Sequence, residues 1–166
     1  MNAESPLKGK RILVVDDEPD ILTTVAEILD MCSVDKASDF ETGLQLIMNN
    51  TYDVVILDIM GVNGFELLKN TVSRGFPTVM LTAHAATPEA LKKSIELGAA
   101  SFLPKEEMTD LPGLIEEVVR GGGKRLWWLK SLQKTGPYFD RSFGPDWKEK
   151  DKFFRDFEES LREKQS

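Results

Sequence analysis

The stretch ILVVDDEPDI, residues Ile12–Ile21, changes character twice within a few positions. Four apolar residues without alternation read as a strand covered on both faces. Two aspartates follow, and then Pro19, which suits the first turn of a helix because its missing N–H would have no partner there anyway. Beyond it Ile21, Leu22, Val25, Ile28 and Leu29 recur at three- and four-residue spacing, the pattern of a helix with one apolar face. The unit is therefore strand, acidic loop, helix.

The same unit recurs along the chain. YDVVIL, PTVML and SFL are further buried-strand candidates, and SVDKA is a weaker one. Helical spacing joins Leu44, Ile47 and Met48; Phe65, Leu67, Leu68 and Val72; Leu91 and Ile95; and Leu114, Ile115, Val118 and Val119. Asp39, followed by Glu41, and Thr87 with Pro88-Glu89 carry start signals. Five strands alternating with five helices predict an α/β fold, a doubly wound five-stranded parallel sheet.

Composition narrows the function classes. A chain of 166 residues with 41% apolar and 30% charged side chains can bury a core and is not compositionally disordered. The net charge of −7 argues against nucleic acid as a partner. The single cysteine, Cys32, excludes an internal disulfide and fits a reducing, cytoplasmic setting; it reads as a small buried apolar residue at the end of the first helix. The opening lacks a signal peptide's apolar core, and no run approaches a spanning helix, so the chain is expected to be soluble.

In a parallel α/β sheet the C-terminal ends of all strands share one edge, where ligands bind. The residues at those ends are Asp16, Asp17, Asp58, Thr82 and Lys105. Clustered carboxylates repel one another and suit a hard divalent cation such as Mg²⁺, while a lysine opposite them adds positive charge. Carboxylate, cation, hydroxyl and ammonium together fit an incoming phosphoryl group: the carboxylate attacks phosphorus and the others stabilise its oxygens. Taken separately, Asp16 and Asp17 also read as caps of the helix that begins near Pro19, and Asp58 as a turn residue.

ILVVDDEPDI, VVILDIM, VMLTAHA and GAASFLPK resemble, in order and near-family spacing, the response-regulator receiver domains of bacterial two-component signalling. The likeness covers residues 8–120, the expected receiver domain, and leaves 121–166 as a C-terminal helical extension with no recognised effector domain. It implies a flavodoxin-like sheet in the order 2-1-3-4-5. It implies that Asp58 accepts a phosphoryl group from a histidine kinase or phosphotransfer protein. Asp17 then resembles a direct Mg²⁺ ligand with Asp16 beside it, and the backbone carbonyl of Met60 a third protein ligand. Thr82 resembles the switch hydroxyl, Lys105 the phosphate-binding lysine, and Phe102 the aromatic that shifts with Thr82. The signal would pass to a downstream protein target through the fourth helix, fifth strand and fifth helix. Such a module is a regulator, not an enzyme.

Two features depart from the family pattern. Pro104 precedes Lys105 where the family has proline after the lysine, so the Lys105–Glu106 bond is expected to be trans. In DIMGVNG the glycine follows Asp58 two positions early. Met60 and His84 occupy positions that tune phosphate lifetime in the family; His84 itself reads as a solvated loop residue. Two rival readings follow: a phosphorylation-independent pseudo-receiver acting as a scaffold, and a phosphatase of the haloacid dehalogenase type. The latter is disfavoured because the residue two after Asp58 is Met60 rather than aspartate.

Gly121–Gly123 mark a change, since residues 124–134 carry four basic and no acidic groups. KRLWWLKSLQK reads as a short basic helix ended by the breaker TGPYFDRSFGPD. Trp147, Phe154 and Leu161 then recur every seventh residue, so WKEKDKFFRDFEESLREK reads as one amphipathic helix. This tail is expected to cover apolar surface on the receiver, on a second copy in a homodimer, or on a partner, in preference to a membrane.

Overall fold

The apolar runs form five strands in the computed structural model, which describes residues 5–83 and 87–163. They are β1 (Arg11–Val15), β2 (Ser33–Ala37), β3 (Val54–Asp58), β4 (Thr78–Thr82) and β5 (Ser101–Pro104). All pairs are parallel, in the order β2-β1-β3-β4-β5. The crossovers are helices α1 (Pro19–Ile28), α2 (Phe40–Asn49), α3 (Gly64–Ser73) and α4 (Pro88–Leu97). A 3-10 turn, Lys105–Asp110, then leads from β5 into α5 (Leu111–Arg120).

Strand alternation splits the core into two layers. Ile12, Val14, Ile56, Val79, Leu81 and Leu103 face α1 and α5. Leu13, Val15, Leu57, Met80 and Phe102 face the other way, towards α2, α3 and α4. Both start signals hold: the Thr42 N–H donates to Asp39 Oδ1 at 2.8 Å, and the Ala90 N–H donates to Thr87 Oγ1 at 3.1 Å. Asp16 is not the cap of α1; that position is Glu18, and Asp16 Oδ1 instead accepts the Glu18 N–H at 2.9 Å. Cys32 lies beyond α1, half-buried, with its thiol donating to the Leu7 carbonyl at 3.3 Å. Burial, then the charges of Asp30 and Asp53, push that thiol up, away from reactivity.

The tail corrects the sequence reading in two places. Helix α6 runs unbroken from Gly123 to Phe143, straight through Gly136-Pro137. The expected final helix is instead two, α7 (Trp147–Lys150) and α8 (Lys152–Glu163), separated at Asp151, whose carboxylate caps the Phe153 N–H at 2.8 Å. The seven-residue spacing still marks the packing face, since Trp147, Phe154 and Leu161 are all buried. Among the described residues no helix is long and apolar enough to cross a membrane.

Helix α6 lies along β5, the last strand of the sheet. Trp128 Nε1 donates to the Ala99 carbonyl at 2.9 Å, and the buried hydroxyls of Ser101 and Ser131 share a hydrogen bond of 2.6 Å. The Phe139 ring packs on Phe102 with centroids 5.7 Å apart. Single replacement of Ser131 by alanine is expected to destabilise the fold by about 1–2 kcal/mol, because Ser101 loses a buried partner. The Ser101→Ala, Ser131→Ala double variant should cost less than the sum of the singles, read from urea unfolding in a double-mutant cycle.

Candidate functional site

The chemistry-bearing residues stand at the C-terminal edge of the sheet because each terminates, or directly follows, a buried strand. Asp58 ends β3, Thr82 ends β4, Asp16 and Asp17 follow β1, and Lys105 follows β5. The register pairs Asp58 with Leu81 and Thr82 with Pro104, so Thr82 sits one residue further out between the acidic strand and the lysine. A carboxylate oxygen from each of Asp16, Asp17 and Asp58 lies within 4.8 Å of the others.

Lys105 reaches into this group. Its Nζ is 2.8 Å from Asp16 Oδ2, 3.2 Å from Asp58 Oδ1 and 2.7 Å from Glu18 Oε1. Burial alone would drive the ammonium towards its neutral form, but hydrogen bonds to Asp16 and Glu18 and the charge of Asp58 outweigh it and raise its pKa. Burial, then the Asp16 charge, push Asp58 up to about 6, with Lys105 pulling the other way. Asp16 is also raised, chiefly by burial.

Several features suit this set to a cation. The donors are all oxygen, two of the three carboxylates are buried, and the buried Asp16 Oδ2 has the Lys105 ammonium, at 2.8 Å, as its one partner among the described residues. Gly61, at φ +77°, lies so near Asp17 that a Cβ there would stand 2.5 Å from Asp17 Oδ2. A side chain at this position would fill the space beside the carboxylates. Gly64 is held tighter still, since its Cβ would collide with the Asp58 carbonyl oxygen. This contact sets the short loop: Asn63 takes a left-handed φ of 53°, and the Gly64 N–H returns to the Ile59 carbonyl at 3.1 Å.

The remaining sequence candidates fall as follows. The Met60 side chain is 74% exposed, and its carbonyl accepts the Val62 N–H at 2.8 Å, which leaves one lone pair for a further partner. Phe102 is fully buried away from the carboxylates, two residues before Pro104, against Phe139. No described peptide bond is cis, the Lys105–Glu106 bond included. His84 lies outside the described residues. Glu18 was not anticipated, although a third acid directly after Asp16-Asp17 is the sequence signal for it.

The raised acids make a stability prediction. Between the ordinary carboxylate range near 4 and about 6, the folded state holds a proton on Asp58 that the unfolded chain has released. Stability therefore falls as pH rises through that window. In metal-free buffer at pH 7, Asp58→Asn is expected to be more stable than wild type by on the order of 2 kcal/mol, with the difference shrinking towards pH 4; thermal melts across that range would check it.

Comparison with known proteins gives a consistent family. The family model for the response regulator receiver domain matches residues 12–116. The two-component response regulator ARR10 of Arabidopsis thaliana is 31% identical over 120 residues, covering 68% of this chain and 22% of that protein. The transcriptional regulatory protein DltR of Streptococcus agalactiae is 36% identical over 101 residues, covering 57% of this chain and 45% of its own length. The chain thus spans less than half the length of these curated relatives. Among solved structures, a response regulator receiver domain protein from Clostridium thermocellum superposes with a TM-score of 0.59 at 28% identity, covering 67% of this chain and 94% of that one. A CheY-like receiver domain protein from Methanospirillum hungatei gives 0.59 at 27% identity, covering 69% and 100%.

Proposed function

This chain belongs to the response regulator receiver domain family, and from that premise we propose that it accepts a phosphoryl group on Asp58 and signals by protein contact. The observation that carries the reading is the meeting of Lys105 Nζ with the Asp58 carboxylate at 3.2 Å, inside a cluster of three carboxylates.

The residues divide the work by position. Asp58, with its pKa near 6, is mostly ionised at neutral pH and supplies the oxygen that attacks phosphorus while the bond to the donor's leaving group breaks. The product is an acyl phosphate on Asp58. Lys105, fixed in its charged form, can move from Asp16 and Asp58 to the new phosphoryl oxygens without desolvating a fresh charge. Thr82, beside Lys105's strand at the same edge, is the hydroxyl placed to donate to one of those oxygens. Asp16, Asp17 and Asp58, with the free lone pair of the Met60 carbonyl, would hold Mg²⁺. When bound, the ion neutralises the clustered carboxylates and the charge on the transferred group.

The donor class is a phosphohistidine on a histidine kinase or phosphotransfer protein, and the receiver is a regulator, not an enzyme acting on a separate substrate. Its downstream target is a protein.

Incubation with acetyl phosphate, followed by intact mass, tests this. Wild type with Mg²⁺ is expected to gain one phosphoryl group, while Asp58→Asn, or wild type in EDTA, gains none. No adduct on wild type, even with rapid sampling, would overturn the reading in favour of a receiver fold used as a scaffold.

A further inference from the structure

Helix α6 follows, almost residue by residue, the segment that delivers Lys105 to the carboxylates. Trp128 holds the Ala99 carbonyl at 2.9 Å, Ser131 holds Ser101 at 2.6 Å, and Phe139 covers Phe102. Beyond Lys105, the Tyr138 hydroxyl donates to Glu106 Oε2 at 3.3 Å, and Arg141 lies 3.9 Å from Glu107. Lys105 sits inside this run of contacts, and its own side chain points into the acidic cluster.

The half of α6 that touches Phe102 and Glu106 is in turn tied to α7 and α8. Trp147 packs on Phe139 and Phe143 with centroids 5.7 and 5.4 Å away, and Phe154 packs on Trp147 at 5.0 Å. These helices close onto α4, where the space left among Leu91, Ile95, Leu132, Phe154 and Phe157 is only ≈ 10 Å³. Such a gap admits at most about one water, so the tail meets α4 closely at this point. The tail thereby covers part of the apolar face formed by α4 and β5, with open clefts left on either side, beside Glu96 and Arg125 and beside Glu89 and Lys152.

Between the two halves of α6 stands Gly136-Pro137. Proline has no N–H, so the helix lacks the rung that residue 137 would give to the Gln133 carbonyl, and nothing lies within 4 Å of where a Gly136 Cβ would be. The N-terminal half is anchored by Trp128 and Ser131, and the C-terminal half by Phe139 and Tyr138. The missing rung is a natural hinge between them.

We propose that the chain beyond Pro137 is an internal ligand of the α4–β5 face whose seat is linked to occupancy of the Asp58 site, so that phosphorylation loosens it. The proposal rests on the phosphoryl-acceptor reading. A phosphoryl group draws Lys105 off Asp16 and Glu18, and Pro104, with φ fixed at −64°, passes that shift to Phe102. The Phe102–Phe139 contact is close-packed with Lys105 in its carboxylate-bound position, and a packed interior gives way in steps instead of deforming smoothly. Moving β5 therefore costs packing in the docked tail, and by linkage a docked tail costs phosphoryl binding the same amount.

Hydrogen exchange on the full chain, with and without Mg²⁺ and acetyl phosphate, tests the link, with intact mass read on the same samples. On forming the adduct, amides of residues 138–143 and of α8 are expected to exchange about 5- to 150-fold faster, the range of ordinary coupling energies, while those of 124–132 hold steady. Pro137→Ala restores the rung and should form the adduct as wild type does, with a smaller exchange response. An adduct with unchanged or slower exchange beyond residue 137, or an undiminished response in Pro137→Ala, overturns this inference alone. Failure to form any adduct overturns the phosphoryl-acceptor reading and this inference with it.

Discussion

The structure depends on a charge problem placed at the end of a sheet. Three carboxylates within 4.8 Å of one another, two of them buried, would force each other's protonation if left alone. Lys105 prevents this by entering the cluster from the neighbouring side, and it can do so only because β5 ends where β3 and β1 end. Parallel pairing makes that coincidence automatic, since every strand runs out towards the same edge. The two apolar layers on either side of the sheet hold the strand ends in register, so the core serves the site by fixing five backbones. Asp58 still remains high, near 6, which shows that the lysine offsets the burial and repulsion only in part. A site left in that condition favours a further positive charge and tolerates a new anion beside the ammonium.

The loop after Asp58 shows how little space the arrangement has to spare. The chain must turn from β3 into α3 across the Asp58 carbonyl itself. Only glycine fits at position 64, and Asn63 accepts a left-handed backbone to make the turn. Gly61 solves the other half of the problem by keeping a side chain away from Asp17. The tight loop thus keeps the open side of the carboxylates by placing glycine at both positions.

How much of this could be read in advance follows from where the determinants lie. Strands buried on both faces must be apolar throughout, so RILVV, VVIL and TVML announce the sheet, and the residues after them announce the site. SVDKA was the weakest strand signal because β2 is an edge whose outer positions are half-exposed and polar. The acidic run Asp16-Asp17-Glu18 marks Glu18 as a candidate, but its pairing with Lys105 depends on how far that side chain reaches, which the run alone does not record. The tail was misread at TGPYFDRSFGPD for a different reason. A proline inside a helix costs about 3 kcal/mol locally, and local rules predict a break. Tyr138, Phe139 and Phe143 lie just beyond it, and burying Phe139 between Phe102 and Trp147 stabilises the helix from outside its own sequence. Tertiary packing outweighed propensity there, as it did not at Asp151, where a capping carboxylate made the break favourable.

The two edges of the sheet explain why such a tail is present at all. An edge strand exposes unpaired N–H and C=O groups and invites pairing with another chain. At β2 the exposure is managed with charge: Asp35 and Lys36 lie on the strand, and Arg11 pairs with Asp35 at 3.3 Å. At β5 no such defence exists, because SFLP is apolar apart from Ser101 and wholly buried. A helix is laid along it instead, meeting the strand through side chains, Trp128 to the Ala99 carbonyl and Ser131 to Ser101. Pro104 fits this solution, since a residue with no N–H leaves no donor for the helix to satisfy at the point nearest Lys105. Pro104 and the C-terminal helix are then two parts of one arrangement. The strand end that aims the lysine is capped without backbone pairing, and it is held by side-chain contacts that a helix can make and release.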